Sequence, residues 1–276
     1  LSDPARRPGP QHRRLDAFEA VFQVANLTVR RSFKGLRPFV ALAVVLLPSG
    51  FCALVAAGRA DALAHEHVFY GVLSRYHFGI AVPVVALVFA TAFPWPEAEE
   101  GTLTYWFTSP IPRWTVALGR YLAALLVGTV ILTLGVFGIG LPLHPPPEAE
   151  LGQVTRAAAA ATLMAYPAYL ALFQLVSTVF RKGLAFGVMF VFVENFVSLF
   201  TGPIVQLTLI HYVRSQLSRA IPPDSLRSAA RLISVAEPAS SVAAISTFAG
   251  VTVVALGLSL LLVAAIEYRG RTSQPG

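Results

Sequence analysis

A single cysteine in 276 residues excludes an intrachain disulfide. That residue, Cys52, sits inside an apolar run, where it reads as a small lipid-facing or bundle-facing side chain. Charge is also scarce. Charged residues make up 13%, against roughly 25% in soluble domains. Hydrophobic residues make up 55%, and the mean hydropathy is +0.66. So few charges cannot cover a chain of this length with a water-facing surface. Several chemical signatures are missing too. Without G-x-x-x-x-G-K-S/T the chain has no P-loop for ATP. Without H-E-x-x-H, C-x-x-C or G-x-S-x-G, nothing points to a conventional membrane-embedded hydrolase. Acidic residues number 14 against 21 Lys and Arg, a net charge of +7. A basic excess suits nucleic acid or the cytoplasmic loops of a membrane protein, and the low polarity favours the second.

What is present is a series of apolar runs about 20 residues long, enough to cross a hydrocarbon core of about 30 Å. The expected fold is all-α: a polytopic membrane protein of six transmembrane helices. An N-terminal amphipathic interfacial helix precedes them, and short outer helices come before the last span. The spans are expected at 39–58, 71–93, 116–141, 157–180, 183–205 and 242–266. Pro48 and Pro83 predict kinks in the first two, and Pro94 and Pro96 end the second. Gly128, Gly135, Gly138 and Gly140 permit close approach of other helices to the third.

Residues 1–14, rich in Pro and Arg, are expected to be a disordered basic tail, and 15–271 a single transmembrane domain. No cleavable signal peptide is expected in the first 37 residues, which are too polar. The chain begins with Leu1, so either the true start lies upstream or an alternative start codon was translated literally. From Leu15, apolar residues recur at spacings of three and four through Phe18, Phe22, Ala25, Val29, Phe33 and Leu36. Residues 15–37 therefore read as an interfacial helix whose arginines meet lipid phosphates. The other reading is a core-facing helix of a soluble domain, for which no domain follows.

Six spans put both termini on one side. Fourteen of the 21 Lys and Arg then share the side of the termini, which predicts a cytoplasmic location for both. Residues 206–241 fall on the opposite side, yet carry Arg214, Arg219, Arg227 and Arg231. Apolar stripes at Ile210, Val213 and Leu217, and at Leu226, Ala229, Ala230 and Ile233, suggest two short outer amphipathic helices. A miscounted span is the alternative.

Three clusters outside the loops of the termini side are candidates for chemistry. His65-Glu66-His67, with His77, has metal-ligand residue types but a generic spacing, and reads best as a solvated polar loop. Glu194-Asn195 falls in the middle of the fifth span. A carboxylate at that depth costs about 2.5–3.5 kcal/mol or more. It is either a substrate-contacting or proton-contacting acid, or a structural Glu bonded to a neighbouring helix, with Tyr166, Tyr169 and Gln174 as possible partners. Gly183 and Gly187 form a G-x-x-x-G that suits a close helix contact, within the chain or between two copies.

The most structured polar connector lies between the second and third spans. Glu97, Glu99 and Glu100 sit near the start of a short helix, where carboxylates offset exposed backbone N–H groups. Leu103, Trp106 and Phe107 share one face at i, i+3 and i+4. Ser109-Pro110-Ile111-Pro112 breaks the helix, and Arg113 and Trp114 restart it at the membrane interface. An acidic, aromatic and stiff hairpin suits docking of a soluble partner. A plain interfacial connector is the alternative.

The run Glu99-Glu-Gly-Thr-Leu-Thr-Tyr-Trp-Phe-Thr-Ser-Pro-Ile-Pro-Arg-Trp, then Leu118-Gly-Arg-Tyr-Leu, resembles exporter-class permeases of ABC transporters with the type V fold. That family typically reads E-E-G-T-L-E-x-L-L-x-x-P-V-S-R and then L-G-K here. The match holds at Glu99, Glu100, Gly101, Thr102, Leu103, Pro110, Arg113, Leu118 and Gly119; Arg120 replaces Lys, and Tyr105, Trp106 and Phe107 are bulkier than usual. The resemblance implies a permease domain over 15–271, with residues 97–113 as a coupling-helix loop docking on a separate ATPase subunit. It implies a second permease subunit, as a homodimer or heterodimer, and places the first and fifth spans at the seam. Glu194 and Asn195 would then line a substrate path, and Gly183 and Gly187 the dimer seam. It implies no catalytic residue, metal or cofactor on this chain, with Mg-ATP on the partner, and export from a prokaryotic inner or plasma membrane. The substrate is not readable. A membrane scaffold, or a proton-coupled carrier using Glu194, are the rival functions.

Overall fold

The structure is a computed structural model, and it describes residues 16–33, 35–58, 62–99, 111–143, 149–200, 202–221 and 238–266. Among these residues it is helical throughout, with no strand. The elements are α1 (Ala17–Ser32), α2 (Arg37–Ala57), α3 (Ala62–Gly71), a π-helical stretch (Val72–Ala81), α4 (Val82–Ala90), α5 (Trp95–Glu99), α6 (Arg113–Gly140), α7 (Ala149–Val179), α8 (Gly183–Val197), α9 (Leu209–Ala220) and α10 (Ser241–Ala265). Short 3₁₀ turns lie at Leu141–Leu143 and Pro203–Leu207. Five helical stretches are long and apolar enough to cross a membrane: Arg37–Ala57, His67–Glu99, Arg113–Leu143, Gly152–Val179 and Ser241–Ala265.

The expected fifth span, 183–205, holds a helix shorter than its apolar run. α8 has 15 residues, which gives about 22 Å at 1.5 Å per residue, short of the roughly 30 Å core. After Val197 the chain turns and enters the 3₁₀ turn through Gly202, whose φ of 114° lies in the region that favours glycine.

The bundle is organised around α7, which packs against α10, α6, α4, α9 and α8. Ala158, Ala161, Ala165, Ala168 and Ala171 are buried along it. Small side chains let neighbouring backbones come close where lipid supplies no hydrophobic drive between helices. The glycines of the third span do what their spacing predicts. A Cβ on Gly138 would lie 2.7 Å from Ser49 Oγ of α2, and one on Gly128 would overlap the Tyr166 ring of α7.

Polar side chains tie the helices together. Tyr166 donates to the Ala124 carbonyl at 2.8 Å, and Tyr121 to the Pro167 carbonyl at 3.1 Å. Two such bonds lie beside the two kink-predicting prolines. In an α-helix a proline deprives the carbonyl four residues earlier of its donor. For Pro48 that carbonyl is Val44, and Tyr76 donates to it at 2.8 Å. Pro83 lies where the π-helical register, with the Val82 N–H on the His77 carbonyl, gives way to α4, and there Asn195 Nδ2 donates to the Gly79 carbonyl at 2.7 Å. Freed carbonyls in a membrane need such partners, since no water is at hand.

α1 shows two apolar faces. Ala20, Val21 and Val24 are buried on α6, where a Cβ on Gly119 would lie 2.8 Å from Val24 Cβ. The predicted aromatic stripe stays outside: Phe18 is 83% exposed and Phe22 66%. α9 is the first of the two expected amphipathic helices, and its predicted stripe of Ile210, Val213 and Leu217 forms its buried face. Its Leu209, Ile210, His211, Val213, Arg214 and Leu217 are buried, mainly against α7. The second expected outer helix lies outside the described residues.

Candidate functional site

The base of the 97–113 loop is built from both of its flanks. α4 ends at Ala90, and a turn through Phe93 and Pro94 leads into α5. Ser177 of α7 donates to the Phe93 carbonyl at 2.8 Å and fixes that turn. On the other flank, Pro112 precedes α6, and Thr115 Oγ1 donates back to its carbonyl at 2.6 Å.

Two ion pairs hold the acidic start of the loop. Glu97 meets Arg120 of α6 at 2.5 Å, with side-chain exposures of only 16% and 12%. The Arg120 guanidinium also lies 5.1 Å from the centre of the Phe93 ring, within cation–π range. Glu99 takes both Nε and Nη2 of Arg181, at 2.8 and 2.7 Å. That second pair is about half exposed, so it is worth little in stability. Arg181 lies between α7 and α8, so the two pairs join α5 to the third span and to the turn that follows the fourth.

Behind these charges lies a small hydrophobic cluster separate from the main core. It contains Val24 of α1, Phe93, Ala98 of α5, Val116 and Ala117 of α6, and Val263 of α10, with Ile111 and Leu260 against it. The loop base is therefore wedged between the N-terminal helix, the third span and the last helix. Of the sequence-predicted loop residues, Glu97, Glu99 and Arg113 lie here. Glu97 faces inward to Arg120. Glu100, Gly101, Thr102, Leu103, Trp106, Phe107 and Pro110 lie outside the described residues.

Glu194 and Asn195 are brought into a second polar cluster, at the end of α8. Glu194 is 4% exposed. Its Oε2 accepts from the Tyr169 hydroxyl at 2.8 Å, and its Oε1 from the Ile210 amide at 3.0 Å. Ile210 belongs to the first turn of α9, where a carboxylate satisfies a free N–H and meets the positive helix end. Burial holds the nearby Arg214 of α9 below its ordinary range, and Arg75 adds to that, while Tyr169 and Glu194 oppose it. Asn195 serves Gly79, as above, and also donates to Val191 at 2.9 Å. Of the three partners proposed for Glu194, Tyr169 takes that role. Tyr166 bonds elsewhere, and no hydrogen bond joins Gln174 to the carboxylate.

The G-x-x-x-G contact is made within the chain. Both glycines are buried, Gly183 beside Ser177 and Gly187 beside Leu87; a Cβ on Gly183 would lie 2.7 Å from Ser177 Cα. The opposite side of α8 carries exposed Phe192 and Phe196. His77 is buried, its Nε2 3.1 Å from Thr162 Oγ1, and among the described residues no group of three or more His, Cys, Asp or Glu gathers as a metal site.

The pairing of the loop base with Arg120 and Arg181 was not read from the sequence. The signal available was two arginines at the inner ends of spans beside a carboxylate-rich loop. No individual curated protein matches the chain. The profile of the ABC-2 family transporter protein matches residues 18–266, nearly the whole length. The chain belongs to the ABC-2 family of transporter proteins, as a multi-pass permease.

Proposed function

We propose that this permease is an exporter of the type V fold, driven by a separate ABC ATPase subunit through the 97–113 loop. The observation that carries this reading is the pairing of the loop's acidic start with Arg120 and Arg181. A push on the loop reaches α6, α7 and α8 through charged contacts, and α1 and α10 through the small hydrophobic cluster. Residues Glu99–Arg113 supply the docking surface, with Gly101 and Thr102 allowing close approach and Leu103, Trp106 and Phe107 filling a groove on the partner. Glu97 acts from below, as an anchor. Mg-ATP binds on the partner.

Two permease chains face each other, and the seam uses α2 and the outward face of α8, including Phe192 and Phe196. Gly183 and Gly187 shape the chain's own packing beneath that seam. α8 and the following turn form the fifth of six membrane segments, dipping short of full length, and both termini lie on the cytoplasmic side of a cell membrane. Glu194 and Asn195 set the geometry at the outer end of the path between the permeases.

Co-expression with an ABC ATPase tests this. The two copurify, and Gly101→Trp or Glu100→Arg abolishes copurification without loss of the permease from the membrane. An intact complex in both variants refutes the docking assignment. Cross-linking of Phe192→Cys in a Cys52→Ser background reports the seam. Monomeric product under conditions that preserve the ATPase complex refutes it.

A further inference from the structure

The π-helical stretch of the second span and α9 bring two arginines together. The helices touch where a Cβ on Gly79 would lie 3.5 Å from Ile210 Cδ1. Arg75 is four residues before Gly79, and Arg214 four residues after Ile210. Each is about one helical turn further along the same face. Burial, and then the nearby charge of Arg75, hold Arg214 below its ordinary range. Like charges packed this way repel, and more strongly away from water.

Arg214 is 7% exposed, and its Nε is buried without a hydrogen-bond partner. Glu194 attracts it, but both Glu194 oxygens are occupied, by the Tyr169 hydroxyl and the Ile210 amide. Among the described residues Arg214 makes no hydrogen bond and no ion pair. Arg75 is exposed on a membrane-spanning stretch, eight residues in from His67. An ionisable side chain at such a position normally faces a partner or a wet path. One acceptor shared by the two guanidiniums relieves their repulsion and uses their idle donors. Their planar forks suit phosphate or carboxylate oxygens. Apolar surface lies close by, because the segment leading into α9 exposes Leu199, Phe200, Ile204 and Leu207.

We propose that Arg75 and Arg214 form a binding site for the anionic headgroup of an amphipathic ligand. The headgroup, a phosphate or carboxylate, sits between the two guanidiniums, and the apolar portion lies along Leu199, Phe200, Ile204 and Leu207. Arg214 is the fixed donor, and Arg75 closes on the ligand from the exposed side. The Glu194 junction positions Arg214 by holding the first turn of α9. An acidic membrane lipid and a single-chain amphipath share this chemistry. The site extends the substrate path assigned to Glu194 and Asn195, but it lies on one chain, so binding needs neither the ATPase nor a second permease.

Native mass spectrometry of the purified full-length protein in a non-ionic detergent tests it, titrated with phosphatidylglycerol or, separately, dodecyl phosphate. Arg75→Gln and Arg214→Gln each weaken binding about ten-fold, as loss of a charge-assisted contact requires. Arg156→Gln, a change at another exposed arginine near the start of α7, alters it less than about two-fold. If only phosphatidylglycerol shows the Arg75 dependence, the ligand is a bilayer lipid. If dodecyl phosphate shows it too, a single-chain amphipath suffices. Either supports the site. Unchanged binding in Arg75→Gln, an equal loss in Arg156→Gln, or no saturable binding of either probe overturns it. Should Arg214→Gln not fold, as judged by its gel-filtration profile, the exposed Arg75→Gln decides alone. Copurification with the ATPase is unchanged in Arg75→Gln, so failure of this site and failure of the docking loop are told apart.

Discussion

Tyr76→Phe removes one hydroxyl and nothing else. In the structure that hydroxyl is the donor to Val44, the carbonyl whose in-helix partner is replaced by Pro48. Its loss leaves a carbonyl unpaired between two apolar helices. Hydrogen bonds between membrane helices average about 0.6 kcal/mol and reach about 1.7. This one lies at the high end, because no backbone donor stands ready to replace it, so the expected loss is about 1–1.7 kcal/mol. Pro48→Ala supplies that donor. In the Pro48→Ala background, Tyr76→Phe is expected to cost less than about 0.5 kcal/mol, since Val44 regains an ordinary helical bond. The coupling energy between the two sites is therefore about 0.5–1.7 kcal/mol. Unfolding in mixed micelles by a denaturing detergent, run on the four proteins of the cycle, measures it. Additivity within about 0.3 kcal/mol would show that Tyr76 does not serve the carbonyl freed by Pro48, and the proline account of the span contacts would fail.

Glu97→Gln is expected to cost about 2–3 kcal/mol, the low end for breaking a buried pair because Gln keeps an acceptor, and to lower the melting temperature by roughly 4–10 °C. Adding Arg120→Met restores most of that stability but leaves ATP-driven transport low; full transport in the stable double variant would remove the pair from the coupling route. Gly128→Ala places a methyl group in the space of the Tyr166 ring and should destabilise by about 1–3 kcal/mol, checked by the same detergent titration. Glu194→Gln keeps an acceptor oxygen for the Ile210 amide and can donate its NH2 to the Tyr169 hydroxyl oxygen, so transport in proteoliposomes should remain within about two-fold of wild type. Abolished transport in a folded Glu194→Gln would instead favour a proton-carrying acid.

The helices that cross the membrane were legible because length and hydropathy alone decide them. The second span does not end at its prolines: α4 stops at Ala90, ahead of Pro94, and Pro96 lies inside α5, whereas the glycines of the third span mark real close approaches. The loop start was legible as acidic. Its inward pairing was not, because Glu97 and Arg120 are separated by the loop and meet only through packing. The buried face of α1 was hidden for a similar reason. Its aromatic stripe dominates the periodicity, while the contact with Gly119 uses the small residues Ala20, Val21 and Val24.

The fifth span shows how a polar pair can mark an end when hydropathy reads a middle. The apolar run continues past Glu194-Asn195 through Phe196, Val197, Leu199 and Phe200, so its length suggested a helix to 205. The structure ends α8 at Val197 and uses the pair as a junction. Glu194 holds the first turn of α9, and Asn195 holds the Gly79 carbonyl, four residues before Pro83. Gly79 completes the fit, since a Cβ there would come within 2.7 Å of Asn195 Oδ1. Three features that seemed unrelated in the sequence (a carboxylate at depth, a proline in the second span, a glycine four residues before it) are one arrangement. It binds the short helix to the second span on one side and to α9 on the other. Any rearrangement of α8 must therefore carry both neighbours or break these bonds. An Asn195→Ala variant breaks one of them by choice. It should make the junction exchange amide hydrogen faster at Val191–Val197, while the exchange of α6 stays unchanged.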